Sequence, residues 1–263
     1  MSDKAAALVA ETQGAIRWIE IRNESRMNAF TRDMWAAVPR LVAEADADPA
    51  IRVVIFRGAG EKAFSAGADI SEFGTNRTGA AAREYDEIND AAYVAISACT
   101  KPTIAIVRGY CFGGASVLAL SCDMRVANDE AVFSIPAAKL SLGYNPRWIR
   151  PMLQVMTPAR AKEMLFTGGR YGAEQALAMG MVNRVVTSAA LREATVGLAD
   201  EIAANAPLSI RAAKAAVDQL AARPESVDLE ALDVLAQACF ASDDFKEGQR
   251  AFMEKRKPRF SGR

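Results

Sequence analysis

Two short segments carry the residue types that can do chemistry in this chain. The first is Phe64-Ser65-Ala66-Gly67-Ala68-Asp69-Ile70; the second is Arg108-Gly109-Tyr110-Cys111-Phe112-Gly113-Gly114-Ala115-Ser116. Each follows an apolar strand-like run and leads, through small residues, toward a helical stretch. Small side chains let a ligand approach the backbone, and the free N–H groups at a helix start favour negative charge. Side by side, two such loops offer two N–H donors to one developing oxyanion. Either loop alone is equally explained by close packing of a helix on a sheet; the pair points to a site.

Two other motifs are weaker. Gly58-Ala59-Gly60-Glu61-Lys62-Ala63 has the spacing of a dinucleotide fingerprint, but that fingerprint must open a helix, and Phe64-Ser65-Ala66-Gly67 follows instead. It reads as a loop. Ala63 to Gly67 has the outline of a nucleophile elbow, yet the sequence contains no histidine. A serine there would need a Lys or N-terminal base. The same absence removes Ser-His-Asp triads, Cys-His dyads and imidazole metal ligands. Proton transfer falls to carboxyl, Lys, Tyr, Cys, bound water or the substrate itself.

The elements that must position these loops follow from periodicity. Residues 15–21 alternate as a half-buried strand, in a hairpin with an earlier strand near Leu8 to Ala10. Thr31 caps a helix through Met34, Trp35, Val38, Leu41 and Val42 that ends near Asp46, with Pro39 a candidate kink. Ile51 to Phe56 reads as a buried strand followed by an irregular loop from Gly58 to Asp69. A helix over Ala80 to Ala98, a strand over Thr103 to Val107 and a short helix over Gly113 to Ser121 come next. Strands at residues 123–127 and 131–134 follow; after Pro158 the chain is mostly helical, broken by a strand at Val182 to Val186. Strands alternating with helices imply an α/β fold with a mostly parallel sheet covered by helices. Residues 1–188 form the expected core, and 189–263 an all-helical region whose Leu229, Leu232, Leu235 and Phe240 pack internally or against another copy.

Composition narrows the function classes. Lys and Arg number 32, as do Asp and Glu, so the formal charge is zero and the basic excess of a nucleic-acid binder is missing. Cys99, Cys111, Cys122 and Cys239 form no Cys-x-x-Cys pair and read as buried apolar thiols of a reducing compartment. The N-terminus has no apolar run behind a basic region, and no stretch approaches about 18 uninterrupted apolar residues. A soluble, cytoplasmic protein with no membrane partner is expected.

The two loops, with Ser25-Arg26-Met27-Asn28-Ala29, Cys122-Asp123, Gly180 to Val186, Asn205-Ala206-Pro207 and Phe252-Met253-Glu254-Lys255-Arg256, closely resemble the crotonase superfamily, the enoyl-CoA hydratase/isomerase family. The likeness runs along essentially the whole chain. It implies a crotonase-like spiral of ββα units with a C-terminal helical region, assembled as a homotrimer or a dimer of trimers. It implies an acyl-coenzyme A thioester as substrate, with no cofactor beyond the coenzyme A of that thioester. The N–H groups of Ala68 and Gly114 would then hold the thioester carbonyl and stabilise an enolate. Arg26, Ala66, Asp69 and Ile70 would line the coenzyme A site, with Phe252 and Lys255 reaching its nucleotide end from a neighbouring subunit. Neutral N–H donors suit a thioester enolate without histidine, and Arg26 and Lys255-Arg256-Lys257 supply local positive charge for phosphates.

The sequence departs from the family at two positions. Hydratases of the family carry one glutamate three residues after the second glycine of the Gly-Gly pair and another after a proline in a later strand-loop. Here these positions are Val117 and Ala137. True hydratase activity is therefore not expected. Tyr144 aligns with an active-site tyrosine of methylmalonyl-CoA decarboxylases of the same superfamily, although those place histidine where Ala68 stands. Decarboxylation generates the enolate without a general base. Tyr144 is equally read as a buried aromatic; Ser116, Tyr85, Asp86 and Glu87 are further candidates, and a non-catalytic acyl-CoA binder is the rival reading.

Overall fold

Alternation of buried and half-buried residues makes β2 (Ile16–Arg22), which pairs antiparallel around Gly14 with the more exposed β1 (Ala7–Gln13). The left-handed backbone at Gly14, φ 57°, closes their turn. The computed structural model describes residues 6–72, 79–140, 142–222 and 227–263. Thr31 caps α1 (Arg32–Ala47) by accepting a hydrogen bond from the Met34 N–H at 3.3 Å. The helix buries Met34, Trp35, Val38, Leu41, Val42 and Ala45 along one stripe and runs on through Pro39.

From there the chain repeats a two-strand unit. β3 (Val53–Gly58) and β4 (Ala63–Ser65) lead to α2 (Gly79–Ala98). β5 (Thr103–Val107) and β6 (Tyr110–Phe112) lead to α3 (Gly114–Ser121). β7 (Met124–Asn128) and β8 (Val132–Ser134) lead to α4 (Pro146–Val155), followed by α5 (Pro158–Thr167). β9 (Tyr171–Gly172), α6 (Ala173–Ala178) and β10 (Arg184–Val186) close the core. Then come α7 (Leu191–Ala203), α8 (Pro207–Ala222), α9 (Leu229–Ala241) and α10 (Asp243–Met253).

Among the described residues the five longer strands and β10 form a six-stranded sheet in the order β1-β2-β3-β5-β7-β10, parallel except for its first pair. The short strands form a second sheet, β4-β6-β8-β9, in which β4, β6 and β8 run parallel. Each unit thus gives one strand to each sheet before its helix, the spiral expected from the family likeness. The main core joins α1, α2, α3 and α4 to one face of the large sheet. On the other face Leu191, Leu198 and Ala199 of α7 pack on Ile16, Trp18, Val53 and Ile55.

Four expectations need correction. The segment Gly58 to Asp69 is not loop throughout, because it contains β4. β6 was not anticipated: a three-residue strand is too short to show alternation. Helical structure begins at Pro146 rather than after Pro158, with Pro146 at the first helical position, where its missing N–H costs nothing. The late strand spans Arg184–Val186, not Val182 to Val186.

Candidate active site

The two small-residue loops leave β4 and β6, which are parallel neighbours, so their ends come together in the second sheet. Gly67 shows how closely they meet. A Cβ built there would stand 2.6 Å from the Phe112 carbonyl oxygen and 3.5 Å from the Gly114 nitrogen, and φ is +93°. Only glycine fits both the contact and the conformation.

The first loop is pinned to the segment ahead of α1. Ala66 N–H donates to Met27 O at 2.9 Å, Phe30 N–H to Gly67 O at 2.7 Å, and Asp69 N–H to Phe30 O at 2.8 Å. Asn28 anchors this segment from below: its amide donates to Ala59 O and Ala63 O, both at 2.8 Å, and accepts from Asn23 N–H. It is almost fully buried and left-handed, φ 56°, a conformation asparagine tolerates. In the second loop Gly113 N–H donates to Ser134 O at 2.7 Å, and Ser116 N–H to Gly113 O at 3.0 Å. The neighbours are therefore committed. Among the described residues neither the Ala68 N–H nor the Gly114 N–H donates to an acceptor within the chain.

Arg26 joins this cluster. Its guanidinium donates to the Asp69 carboxylate at 3.1 Å and to Ser71 Oγ at 2.9 Å, and Ser71 donates to the same carboxylate oxygen through Oγ and N–H. Burial pushes the Asp69 carboxyl upward, but the two Ser71 hydrogen bonds and the Arg26 charge outweigh it and hold it below its ordinary value. Arg26, Ala66, Ala68 and Asp69 are thus brought together. Ile70 opens the 3-10 turn Ile70–Glu72, and its side chain lies outside the described set. Phe252 is 84% exposed near the end of α10, and Lys255 is exposed just beyond it with φ 53°. No hydrogen bond or ion pair among the described residues ties either to the Arg26 cluster within one chain.

Behind the loops stands a row of rings. Phe30 stacks on Trp35 at 4.0 Å; Trp35 meets Tyr93 edge-on at 5.5 Å, Tyr93 meets Trp148 at 6.0 Å, and Trp148 meets Tyr144 at 5.5 Å. The Tyr93 hydroxyl donates to Gly114 O at 3.1 Å, fixing the start of α3. Sequence reasoning gave no separate role to Asn28, quoted only within the resemblance, and missed Trp35, Tyr93 and Trp148, which in one sequence look like ordinary core residues.

Val117 lies one turn along α3 from Gly114, fully buried, and Ala137 opens the 3-10 turn Ala137–Leu140 with 6% exposure. Ser116 is a poor candidate for chemistry. It is fully buried, and its hydroxyl donates to Cys111 O at 2.5 Å, closing β6 onto α3. Of the other candidates on α2, Tyr85 is buried, whereas Glu87 is exposed. Three thiols are made inert by burial: Cys99 is pushed up to about 11, Cys122 to about 12, and Cys111 is raised as well, whereas Cys239 is half-buried. No group of residues suited to a metal ion occurs among the described residues.

Comparison with known proteins agrees with this architecture. The family model described as enoyl-CoA hydratase/isomerase matches residues 11–263. A crotonyl-CoA hydratase of Syntrophomonas wolfei is 33% identical over 258 residues, covering 96% of this chain and 97% of the relative. A carnitinyl-CoA dehydratase of Escherichia coli is 39% identical over 220 residues, 82% of this chain and 84% of the relative. Among solved structures, an enoyl-CoA hydratase/carnithine racemase from Magnetospirillum magneticum superposes with a TM-score of 0.93 at 36% identity, covering 97% and 96% of the two chains. With the paired glycine loops, the two-sheet spiral and matches along nearly its full length, the chain belongs to the enoyl-CoA hydratase/isomerase family of the crotonase superfamily.

Proposed function

We propose that this protein processes an acyl-coenzyme A thioester by stabilising its enolate between the N–H groups of Ala68 and Gly114. The observation that carries this reading is the pair of uncommitted N–H groups on two abutting loops, one of them at the N-terminus of α3. A thioester carbonyl held there gains charge in the transition state, and preorganised donors lower that barrier without reorganising water. Arg26, held by Asp69 and Ser71, stands beside the first loop and offers positive charge to the phosphates of coenzyme A, along a path bordered by Ala66 and Ile70. Phe252 and Lys255 act on the nucleotide end from a neighbouring copy in a trimer or dimer of trimers. No further cofactor is called for by this chemistry.

The acid/base partner differs from that of the family's hydratases, because Val117 and Ala137 supply no carboxylate. A second reading, a decarboxylase of malonyl-type thioesters, is favoured by that apolar lining together with Tyr144 against Trp148. Loss of carbon dioxide delivers the enolate directly, and Tyr144 can then return a proton to carbon. Incubation with a panel of 2-enoyl and malonyl-type thioesters, read by mass spectrometry, separates these outcomes. The Gly114→Pro variant removes one donor, with its Cβ also pressing on the Tyr93 hydroxyl 2.8 Å away, and is expected to lose turnover by at least on the order of a hundredfold. Full turnover in a variant shown to be folded by circular dichroism places the carbonyl elsewhere, and binding of every thioester without conversion of any leaves an acyl-CoA-binding protein.

A further inference from the structure

The ring row behind the oxyanion loops contains two donors that the fold leaves unmet. Trp35 is fully buried and Trp148 is 5% exposed. Among the described residues neither indole Nε1–H has an acceptor. An indole N–H donates and cannot accept, and beyond a weak contact with a neighbouring ring face it is satisfied by an oxygen or nitrogen lone pair brought to it. Native structures rarely leave such a donor buried and unmet.

Their placement is informative. After the Tyr93 hydroxyl, the atoms nearest a Cβ built on Gly114 are Cζ2 and Cη2 of Trp35, at 3.3 and 3.5 Å. Cζ2 lies on the same edge of the indole as Nε1, so the donor edge of Trp35 borders the residue that offers the thioester N–H. Trp148 follows one ring further along the row, beyond Tyr93. An unbranched saturated acyl chain would satisfy the apolar ring faces and leave both indoles without a partner.

Resting on the enolate reading above, we propose that the preferred acyl group carries an oxygen acceptor beyond the thioester, a ketone or a carboxylate, which accepts hydrogen bonds from Trp35 and Trp148. These two residues set specificity; they do not perform the proton transfer. The third tryptophan, Trp18, is an internal control. Its Nε1 also lacks an acceptor, but its ring lies in the cluster beneath α7 on the other face of the sheet, between the Arg57 and Arg192 guanidinium groups.

The chain has three tryptophans, so its amide spectrum carries three indole N–H signals, assignable by Trp→Phe replacement. The test adds three four-carbon thioesters to the wild-type protein: butyryl-CoA, acetoacetyl-CoA and succinyl-CoA. The expected result is a downfield shift of the Trp35 and Trp148 indole protons with acetoacetyl-CoA or succinyl-CoA, an unmoved Trp18, and no such shift with butyryl-CoA. Calorimetry should show the responding thioester binding about tenfold more tightly than butyryl-CoA. Trp148→Phe should shrink that preference. The responding thioester identifies the acceptor as neutral ketone or carboxylate. Butyryl-CoA binding as tightly as both others, with the two indole signals unmoved, overturns the proposal and leaves the enolate reading intact. Failure of all three thioesters to bind overturns the enolate reading itself.

Discussion

Asp69 organises the loop that presents Ala68, and its carboxylate is held below the ordinary value of 3.8 by Ser71 and Arg26 against the opposing pull of burial. A carboxyl group whose folded value is depressed contributes stability that is complete above its unfolded value and is lost as pH falls through the folded one. Asp69→Asn should therefore destabilise the protein at neutral pH by about 1 kcal/mol or less, since Arg26 is half exposed and screened. The difference from wild type should shrink below pH 3.8, as read by denaturant unfolding across pH. On the proposed function, Val117 and Ala137 set the reactivity at the same scale. General acid/base assistance is worth about 10²–10⁴-fold, and neither residue can give it. Hydration of crotonyl-CoA, followed by loss of enoyl absorbance, should be very weak in the wild type. Val117→Glu with Ala137→Glu should raise it more than either change alone, because the two carboxylates act as a unit. Fast wild-type hydration would send the search for an acid and base to Tyr144 or the Tyr85-Asp86-Glu87 turn of α2.

At the scale of elements, α3 has one end open and the other closed. Its N-terminus offers the Gly114 N–H. At its C-terminus the buried Arg125 donates to Cys122 O and Ala119 O, at 2.6 and 3.3 Å, and to Met181 O at 2.6 Å. A cation at a helix C-terminus complements the dipole and satisfies carbonyls that the helix leaves unpaired. Arg125→Met should remove the Arg125 hydrogen bonds to the Cys122 and Met181 carbonyls, while Ala119 O keeps the Cys122 N–H at 3.3 Å, and cost about 3 kcal/mol, measured by urea unfolding. The long elements were legible in the sequence because their periodicity is sustained: α1 from Thr31 onward, α2, and the buried runs of β3 and β5. β4, β6 and β9 were not, since two or three residues cannot display a period of two. α4 was hidden because Pro146 and Pro151 read as breakers. The paired loops were legible from their small residues alone. Of the ring row only Tyr144 was legible, because Trp35, Tyr93 and Trp148 come from three separate helices, and an aromatic in a helix is ordinarily core.

For the whole molecule, the formal charge is zero and, among the described residues, no helix is long and apolar enough to cross a membrane. Phe240, Phe252 and Met253 are 61, 84 and 81% exposed on α9 and α10, where a second copy would cover them. Light scattering should give three or six times the 28.2 kDa chain mass, and a monomer would remove Phe252 and Lys255 from the site. The site itself is a property of the whole fold. Ala68 and Gly114 are 46 positions apart in sequence, and they meet because successive units of the spiral lay β4 beside β6. That the two N–H groups grip a thioester carbonyl is the central claim, and the carbonyl reports on it directly. Butyryl-CoA labelled with ¹³C at the thioester carbon should show its carbonyl resonance moved downfield on binding to the wild type, and moved much less on binding to a folded Gly114→Pro variant. A bound carbonyl resonance equal to that of free butyryl-CoA in water would contradict the assignment.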